Sequence, residues 1–340
     1  MRDKLRVGIA GYGLVGERRR IYIDKHPSFQ TVAISDIKFE DSIKVSNGLK
    51  VFNNYYDLLK EDLDVLFVSL PNKYSAEASI LGLQKGLHVF CEKPPSRTVE
   101  ELEEVINVER HSSNKILKYG FNHRYHESVK DAKKLIESGE LGDVIDFRGV
   151  YGKSRVVPFS GGWRAKRSEA GGGILLDQGI HMVDLIRYFG GEFNEVKSFI
   201  SNNYWKHDVE DNVYAILKSD SGKFAVLHSS ATQWEHKFCL NITLSQGFIE
   251  LSGLLTSSKS YGEEKLTIGR REENNVGTLK KEEIKYLEDN TWGDEIEEFA
   301  DAIVNGRKIK YGNSTDALKT MQLVYGIYKA DAEWANRFNI

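Results

Sequence analysis

The chain has 340 residues, of which 40% are hydrophobic and 29% charged, a composition typical of a globular protein of about two domains. Its net charge of −3 gives no reason to expect nucleic acid or an anionic membrane as a partner. Two cysteines are too few for a disulfide framework, and no stretch has the pattern of a signal peptide or a membrane helix, so a cytoplasmic location is expected.

The first third of the chain alternates short apolar runs with helical patterns. Strands are predicted at residues 5–10, 31–35, 65–70, 88–91 and 115–120, and helices at 15–24, 75–85 and 99–110. Largely apolar strands separated by helices are typical of a parallel sheet covered on both faces. We therefore predict an α/β domain with a parallel sheet over residues 1–122.

The pattern changes after residue 122. Helices are predicted at 128–138, 175–189, 292–304 and 315–334. Between Phe193 and Leu251, strand-like segments follow one another with only turns between them, which indicates an antiparallel sheet. The charged segment 280–285 is expected to be a solvated edge strand or loop. Residues 123–340 are thus predicted to form an α+β domain with a large, mostly antiparallel sheet.

The first predicted strand leads into a glycine motif, Gly11-x-Gly13-x-x-Gly16, which opens the first helix. In a dinucleotide-binding turn, the first glycine permits the tight turn and the second lets the backbone approach a pyrophosphate. The third allows close packing of helix on strand. A purely structural glycine-rich turn is the alternative, but the position between a strand and a helix favours a cofactor site.

Asp36 ends the second predicted strand, twenty positions after Gly16. A carboxylate there accepts hydrogen bonds from the adenosine ribose and repels the 2′-phosphate of NADP, so NAD is the expected cofactor and NADP the less favoured one. Lys38 is close to Asp36 in the sequence, so use of both NAD and NADP stays open. Arg18 to Arg20 lie in the first turns of the helix, where cations oppose its dipole, and are predicted to form a solvated face rather than a phosphate contact.

Further stretches carry a resemblance to a known family. They are Ser69-Leu70-Pro71-Asn72, Cys91-Glu92-Lys93-Pro94, Gly120 to Tyr125, the segment from Gly171 to Asp184 with its Asp-x-Gly-x-His pattern, and Val209-Glu210-Asp211. Together with the N-terminal glycines, they resemble the Gfo/Idh/MocA family of glucose–fructose oxidoreductase, inositol dehydrogenase and rhizopine-catabolism proteins. The resemblance covers essentially the whole chain.

This resemblance implies a Rossmann domain followed by an α/β domain whose open antiparallel sheet often mediates dimers or tetramers. It also implies an NAD(P)-dependent oxidoreductase that acts on a CH–OH group of a small, carbohydrate-like molecule. Lys93, Asp177 and His181 match the family's catalytic set. Many members carry a histidine where this chain has Ser75, so no role is assigned to that position.

Other residues are candidates for binding because of their place in these motifs. For the cofactor they are Gly11, Tyr12, Gly13, Leu14, Val15, Asp36, Ser69, Leu70, Pro71, Asn72, Glu92 and Lys93. For the substrate they are Asn122, Arg124, Tyr125, Trp163 and Arg164. The indole and guanidinium of the last two suit a sugar ring or a phosphate, although a structural tryptophan is the alternative. No metal site is predicted.

Oxidation of a secondary alcohol needs a base for the hydroxyl proton and a positive donor for the developing alkoxide. His181 suits the first task because imidazole exchanges protons near neutral pH. Lys93 suits the second, and Asp177 is expected on the same helix face as His181. By spacing alone, Asp177, His181 and Asp184 also fit a salt-bridged helix face or a metal site. Asp184 is expected to be a structural partner.

Three functions are therefore weighed. Retention of Lys93, Asp177 and His181 favours an NAD-dependent dehydrogenase or reductase of sugars or cyclitols. The alternatives are a non-catalytic sensor that keeps the cofactor site and an NAD-dependent glycosidase of the same fold. A homodimer or homotetramer is expected through the outer face of the second sheet, for which Val213, Ala215, Ile216, Phe224 and Val226 indicate an apolar surface.

Overall fold

A computed structural model describes residues 4–40, 44–46, 48–157, 159, 161–256, 260–272 and 277–340. The chain divides into two compact units. The first comprises Met1–Asn122, Ser168–Gly171 and Trp292–Lys319, and the second comprises His123–Arg167, Gly172–Thr291 and Thr320–Ile340. A single boundary after residue 122 does not describe this division, because residues from the second half of the sequence pack with the first unit.

The first unit contains seven strands and the helices between them. Its strands are β1 (Leu5–Ala10), β2 (Phe29–Ser35), β3 (Lys44–Ser46), β4 (Leu49–Phe52), β5 (Val65–Val68), β6 (His88–Glu92) and β7 (Leu117–Gly120). Its helices are α1 (Leu14–Lys25), α2 (Tyr55–Leu58), α3 (Asn72–Gln84), α4 (Val99–His111) and α8 (Thr291–Val304), the last of which begins one residue before the unit boundary.

These strands form one sheet in the order β3-β4-β2-β1-β5-β6-β7. All neighbours are parallel except β3 and β4, which form an antiparallel pair at one edge. The six parallel strands have the Rossmann order, in which the strand sequence reverses at β1. The predicted parallel α/β domain is confirmed.

Helix α8 explains why the first unit extends beyond residue 122. Phe299 on α8 packs edge-on against Phe67 and Phe90 of the sheet, with ring centroids 5.7 and 5.6 Å apart. It is fully buried in the apolar core that these strands share. Burial of an aromatic side chain contributes about 2–3 kcal/mol, so this contact fixes the helix to the sheet.

The second unit is built on eight strands. They are β8 (Val144–Ser154), β9 (Glu195–Ser201), β10 (Asn212–Lys218), β11 (Phe224–Gln233), β12 (Lys237–Leu244), β13 (Gly247–Ser252), β14 (Glu264–Arg271) and β15 (Leu279–Tyr286). The helices are α5 (Glu127–Ser138), α6 (Arg167–Ala170), α7 (Ile180–Gly190), α9 (Ser314–Ala330) and α10 (Ala332–Phe338), of which α6 lies mainly in the first unit and α9 begins there.

The eight strands form a sheet in the order β15-β14-β13-β12-β8-β11-β10-β9. All pairs are antiparallel except the central pair β8–β11, which is parallel. The predicted large, mostly antiparallel sheet is thus confirmed. Segment 280–285 lies in β15, an exposed edge strand, as the sequence indicates.

The two faces of this sheet differ in burial. Val213 and Ala215 are buried, so of the apolar residues named in the sequence these two do not form an exposed face. The side chains of Ile216, Phe224 and Val226 are exposed, because successive residues of a strand point to opposite faces. Phe199, Tyr214 and Ile145 are exposed as well.

No helix within the described part of the chain is both long and apolar enough to cross a membrane.

Candidate active site

The glycine motif forms a tight turn at the start of α1. Gly11 has a φ of +88°, and a Cβ there would lie 2.4 Å from the Ser69 carbonyl oxygen. A Cβ on Gly16 would lie 2.0 Å from the Gly11 carbonyl oxygen, so neither position admits a side chain. At Gly13, a Cβ would meet nothing within 4 Å. The open space lies at the glycine where a pyrophosphate approaches the backbone, so the turn fits a dinucleotide.

The Asp36 carboxylate lies beside this turn. Its Oδ2 accepts a hydrogen bond from the Tyr12 amide at 2.9 Å, and its Oδ1 accepts one from the Lys38 amide at 3.0 Å. The Lys38 ammonium donates to Glu17 Oε1 at 2.9 Å, and this bond raises the pKa of Lys38. An acceptor for a ribose hydroxyl and a cation that attracts a 2′-phosphate are thus both present.

The segment after β5 supplies the next candidates for the cofactor. Ser69, Leu70 and Pro71 are half-buried and precede α3. Asn72 is buried, and its Nδ2 donates to the Ala170 carbonyl oxygen at 2.7 Å. The amide group of Asn72 therefore ties the segment around Ala170 to α3 within the first unit.

The topology of the first sheet determines where Glu92 and Lys93 lie. Glu92 ends β6, which is parallel to β5 and is separated from β1 by β5. The carboxyl ends of these strands, and the glycine turn after β1, therefore lie at one edge of the sheet, where ligands bind in open α/β folds. Lys93 is half-buried and its peptide bond to Pro94 is cis.

Arg19 overturns the prediction of a solvated arginine face. Its side chain is fully buried, its Nε donates to Glu92 Oε1 at 2.6 Å, and its Nη2 donates to Glu295 Oε2 at 2.7 Å. Its guanidinium also stacks 4.1 Å from the ring centroid of Trp292. Arg19 thus joins the cofactor helix α1, the residue before Lys93, and helix α8.

Burial of this cluster changes its ionisation. Burial raises the pKa of Glu295 to about 7, although Arg19 and Lys118 favour its charged form. Burial also lowers the pKa of Lys118, whose ammonium lies 3.5 Å from Glu298. Because a Cβ on Gly120 would lie 3.0 Å from Glu92 Oε2 and 3.2 Å from Arg19 Nη2, glycine leaves room for the ion pair.

In the second unit, Glu210 anchors the triple-glycine segment. Its buried carboxylate accepts hydrogen bonds from the Gly173 amide at 2.7 Å and the Leu175 amide at 3.0 Å, and from the Tyr328 hydroxyl at 2.7 Å. Burial raises its pKa despite these donors. A Cβ on Gly173 would lie 2.1 Å from the Glu210 carbonyl oxygen, so this approach requires glycine.

The anchored segment continues into a π-helical turn, Leu175–Gly179, before α7 begins. This turn differs from the regular helix predicted there, and such π turns are frequent at functional sites. Asp177 lies on it, partly exposed, with Oδ1 3.6 Å from Arg164 Nε. The Arg164 guanidinium in turn stacks 4.2 Å from the Trp163 ring. The structure therefore brings together Asp177 and two of the predicted substrate residues.

His181 lies in the first turn of α7 and is buried. Its ring stacks on that of His123, with centroids 3.7 Å apart and planes 11° apart. His123 Nε2 lies 3.2 Å from the Tyr151 hydroxyl. Neither His123 nor Tyr151 was predicted as a neighbour of His181, because they lie 58 and 30 positions away from it in the chain.

Two further polar residues near Asp177, Gln178 and Tyr261, were given no role in the predictions from sequence. The Tyr261 hydroxyl donates to Gln178 Oε1 at 3.0 Å, and the Tyr261 ring lies 5.3 Å from that of Tyr151. Burial, reinforced by the charge of Asp177, raises the pKa of both tyrosines, so both hydroxyls keep their protons. The Asp-Gln-Gly triplet was the available signal for Gln178, whereas no sequence pattern indicates Tyr261.

Arg124, a predicted substrate residue, is buried, and its Nε and Nη2 donate to the two oxygens of Asp184 at 2.8 and 2.7 Å. This bidentate pair fixes the plane of the guanidinium, and a contact of Arg124 with a substrate stays a prediction. Asp184, which also accepts from Thr320, is a structural partner as expected. Tyr125 is buried and Asn122 is partly exposed.

No group of three or more His, Cys, Asp or Glu side chains among the described residues is arranged to hold a metal ion.

The fold and these residues define a class of two-unit proteins that pair a dinucleotide-binding sheet with a large antiparallel sheet. Two family models match the chain: an oxidoreductase family with an NAD-binding Rossmann fold over residues 5–121, and the GFO/IDH/MocA C-terminal domain over residues 129–250. Together they match more than half of the chain, which therefore belongs to the Gfo/Idh/MocA family.

Curated relatives include a levoglucosan dehydrogenase of Pseudarthrobacter phenanthrenivorans, 32% identical over 54% of this chain and 45% of its own length. A D-glucoside 3-dehydrogenase of Escherichia coli is 28% identical over 70% of this chain and 71% of its own length. The chain thus spans less than half of the first relative in this alignment. A solved levoglucosan dehydrogenase in complex with NADH and L-sorbose has the same fold, with a TM-score of 0.85 at 22% identity over 97% of each chain.

Proposed function

We propose that the protein is an NAD-dependent oxidoreductase that transfers a hydride between nicotinamide and a secondary hydroxyl or ketone of a sugar, cyclitol or sugar derivative. The observation that carries this proposal is the turn at Gly11, Gly13 and Gly16, which is open only where a pyrophosphate approaches. Family membership supports the reaction class, and the names of the relatives support a carbohydrate-like substrate.

NAD is proposed as the preferred cofactor because the Asp36 carboxylate lies beside the glycine turn. A negative group there repels a 2′-phosphate, and the Lys38 ammonium is already paired with Glu17. Calorimetric titration with NADH and NADPH tests this preference, and tighter binding of NADPH would refute it. Asp36→Ser is expected to narrow the difference between the two cofactors.

The glycine turn offers a sharper test of cofactor binding. Gly13→Ala meets no steric obstacle in the fold, so its thermal unfolding midpoint is expected to stay unchanged. The added methyl group occupies the space needed for the pyrophosphate, so NADH affinity is expected to fall about tenfold or more. Gly293→Ala, whose Cβ would lie 3.7 Å from Tyr22, is the matched control: it should leave NADH affinity unchanged, and its unfolding midpoint should not fall, because alanine favours a helix. Unchanged NADH affinity in Gly13→Ala would place the cofactor elsewhere.

In the proposed reaction, Lys93, Asp177 and His181 act in the chemical step. The bound nicotinamide supplies hydride transfer. The Lys93 ammonium donates a hydrogen bond to the reacting oxygen and stabilises its negative charge. His181 carries the hydroxyl proton, because imidazole gains and loses a proton near neutral pH. Asp177 orients the substrate hydroxyl or the imidazole from the adjacent π turn.

Trp163 and Arg164 are proposed to bind the substrate, because they lie on the same side of the second unit as Asp177 and link to its carboxylate. Asn122 and Tyr125 remain proposed substrate contacts on the resemblance alone. The remaining cofactor contacts proposed from the sequence are Tyr12, Leu14, Val15, Ser69, Leu70, Pro71, Asn72 and Glu92. Of these, Leu14 is largely exposed at the start of α1, where a cofactor would cover it.

Steady-state NADH formation on a panel of cyclitols, aldoses, uronates and nucleotide sugars tests the function. Lys93→Met and His181→Ala are each expected to lower turnover about 10²- to 10⁴-fold with little change in NADH affinity. Sugar release without net NADH formation would indicate a glycosidase, and binding without any turnover would indicate a sensor. Either result would refute the proposed reaction.

A homodimer or homotetramer is proposed through the outer face of the second sheet. The exposed apolar side chains of Phe199, Tyr214, Ile216, Phe224 and Val226 on β9 to β11 support this, because such a patch is uncommon on a monomer. Light scattering at micromolar concentration tests it, and a monomer would refute it. A cytoplasmic location is proposed because Cys91 and Cys239 are free thiols.

A further inference from the structure

The strongest unassigned feature of the second unit is a histidine stacked on the proposed catalytic histidine. His123 and His181 have ring centroids 3.7 Å apart and planes within 11° of parallel. Both side chains are buried, at 5% and 4% exposure. His123 lies in the turn Asn122–Tyr125 that precedes α5, whereas His181 lies on α7. Two different elements therefore hold the rings face to face.

The ring of His123 is itself fixed from several directions. Its Nε2 lies 3.2 Å from the hydroxyl of Tyr151 on β8. The ring of Phe238 on β12 packs edge-on at 6.0 Å, and that of His126 packs edge-on at 5.5 Å. His126 is anchored by Glu264, whose Oε2 lies 2.7 Å from His126 Nδ1. Contacts with Tyr151, Phe238 and His126 therefore restrict the His123 ring in addition to its stack on His181.

We propose that His123 is a positioning residue for His181, holding the plane of the catalytic imidazole so that its reacting nitrogen faces the substrate hydroxyl. This inference rests on the proposed function. Rotation of the His181 ring about its Cβ–Cγ bond would break the parallel contact, so the stack restricts that rotation. A misplacement of about 1 Å at a reacting atom costs about 10²-fold in rate, so a small change in ring orientation is sufficient to lower turnover.

The stack also constrains charge. Two parallel imidazoles at this distance cannot both be positively charged without strong repulsion, so a charged His181 requires a neutral His123. The His123 Nε2 and the Tyr151 hydroxyl lie within hydrogen-bond distance, and a neutral imidazole can pair with this hydroxyl as donor or as acceptor. Burial holds the pKa of Tyr151 well above its usual value, so this hydroxyl keeps its proton. The contact with Tyr151 therefore satisfies a neutral His123, the form that tolerates a charged partner.

The test removes either the ring or its hydrogen bond. His123→Leu removes the ring, His123→Phe keeps a ring but loses the nitrogen, and Tyr151→Phe removes only the hydroxyl. We expect His123→Leu to lower kcat about 10- to 100-fold while the substrate KM and the NADH affinity stay within about twofold. His123→Phe should recover most of this loss, and Tyr151→Phe should show an intermediate loss. Should His123→Leu fail to fold, His123→Gln repeats the test.

Histidine-selective NMR of the full chain supplies a readout independent of turnover. The Hε1 signal of His181, assigned by its loss in His181→Ala, should be shifted upfield by the ring that covers it. The signal should move downfield in His123→Leu and stay upfield in His123→Phe. His26→Leu is the control, because the His26 ring lies 5.2 Å from Phe29 in the first unit and should change neither kcat nor this signal.

The outcomes separate this inference from the proposed function. Normal turnover in His181→Ala would refute the role of His181 and the inference with it. Loss of turnover in His181→Ala together with normal kcat in His123→Leu would overturn the inference alone. An unmoved His181 signal in His123→Leu would also overturn it, whatever the turnover.

Discussion

Each unit of the molecule contains a buried arginine that pairs with a carboxylate close in sequence to a proposed catalytic residue. The two arginines, Arg19 and Arg124, differ in how they are paired. In the second unit, Arg124 forms a bidentate pair with Asp184, three residues after His181, and each carboxylate oxygen receives a guanidinium hydrogen bond. In the first unit, Arg19 divides its donors between Glu92 and Glu295, one bond to each.

The difference shows how burial distributes charge. Arg124 gives two hydrogen bonds to one carboxylate, Asp184, whereas Arg19 gives one each to Glu92 and Glu295, and the Lys118 ammonium acts on Glu295 through its charge. The second carboxylate is incompletely compensated: Glu295 Oε1 and Arg19 Nη1 are buried without a hydrogen-bond partner among the described residues. Burial accordingly raises the pKa of Glu295 to about 7. The Arg124–Asp184 pair gives each carboxylate oxygen its own donor, whereas burial moves the pKa of Glu295, in the cluster next to Lys93, toward neutral pH.

The largest expected effect is the loss of the bidentate pair. Arg124→Leu leaves Asp184 fully buried without its cation, so the free energy of unfolding should fall by about 3–5 kcal/mol at pH 7. Arg19→Leu should cost less, about 2–3 kcal/mol, because Glu295 can take up a proton and Glu92 is partly exposed to water. Urea unfolding measures both.

The half-buried Arg20, paired with Asp24, provides the control for these variants. Arg20→Leu should change the free energy of unfolding by less than about 1 kcal/mol. A greater loss in Arg19→Leu than in Arg124→Leu would contradict the proposed difference between the two networks.

The next effect concerns pH. The raised pKa of Glu295 means that the folded chain binds more protons than the unfolded chain between its ordinary value of 4.5 and about 7. Its contribution to stability is therefore present in full at low pH and is lost as the pH rises through this window. The stability of the wild type relative to Glu295→Gln should fall by about 3 kcal/mol from pH 4.5 to 7 and stay constant above that.

Urea unfolding of both proteins across this range measures the difference. Glu103→Gln, a substitution at an exposed carboxylate on α4, should show no such fall. A stability difference that rose with pH would mean that Glu295 is held as a carboxylate by Arg19 throughout the range.

The smallest expected effect is at Gly120. A methyl group there would press on Glu92 and Arg19, so Gly120→Ala should displace the ion pair by a few tenths of an ångström and cost about 1 kcal/mol. Turnover should fall more than NADH affinity, since Glu92 adjoins Lys93. Gly326→Ala, whose Cβ would lie 4.0 Å from Val196, should leave turnover unchanged. Equal effects of the two substitutions would show that the pair tolerates displacement.

The fold could be predicted where the local pattern is strong. The run Leu5–Ala10 is apolar and followed by glycine, and the structure gives β1 those bounds. The short strand Leu49–Phe52 was missed, because four residues that include a lysine carry too little pattern. The predicted helix at 315–334 is interrupted at Asp331, whose side chain accepts a hydrogen bond from the Trp334 amide and caps α10 instead.

The site was predictable to the extent that motifs define it. The glycine turn follows from residues close in sequence, whereas the role of Arg19 depends on Glu295, 276 positions away. Three adjacent arginines look alike in the sequence, and only tertiary contacts separate the buried one from its neighbours. The engagement of Arg124 with Asp184 and the stacking of His123 on His181 likewise join residues far apart in the chain.

The parallel pair β8–β11 at the centre of the second sheet has a consequence for how the chain folds. Its paired residues, such as Val150 and His228, are 78 positions apart, so closing this contact costs more chain entropy than forming the hairpins beside it. The hairpins β10–β11 and β12–β13 join neighbouring segments and can form early. We therefore expect the central strands to meet late, because contacts of such long range slow folding. The segment that carries Asp177 and His181 lies between β8 and β11 in the chain, so we expect these two proposed catalytic residues to reach their places late in the assembly of the second unit.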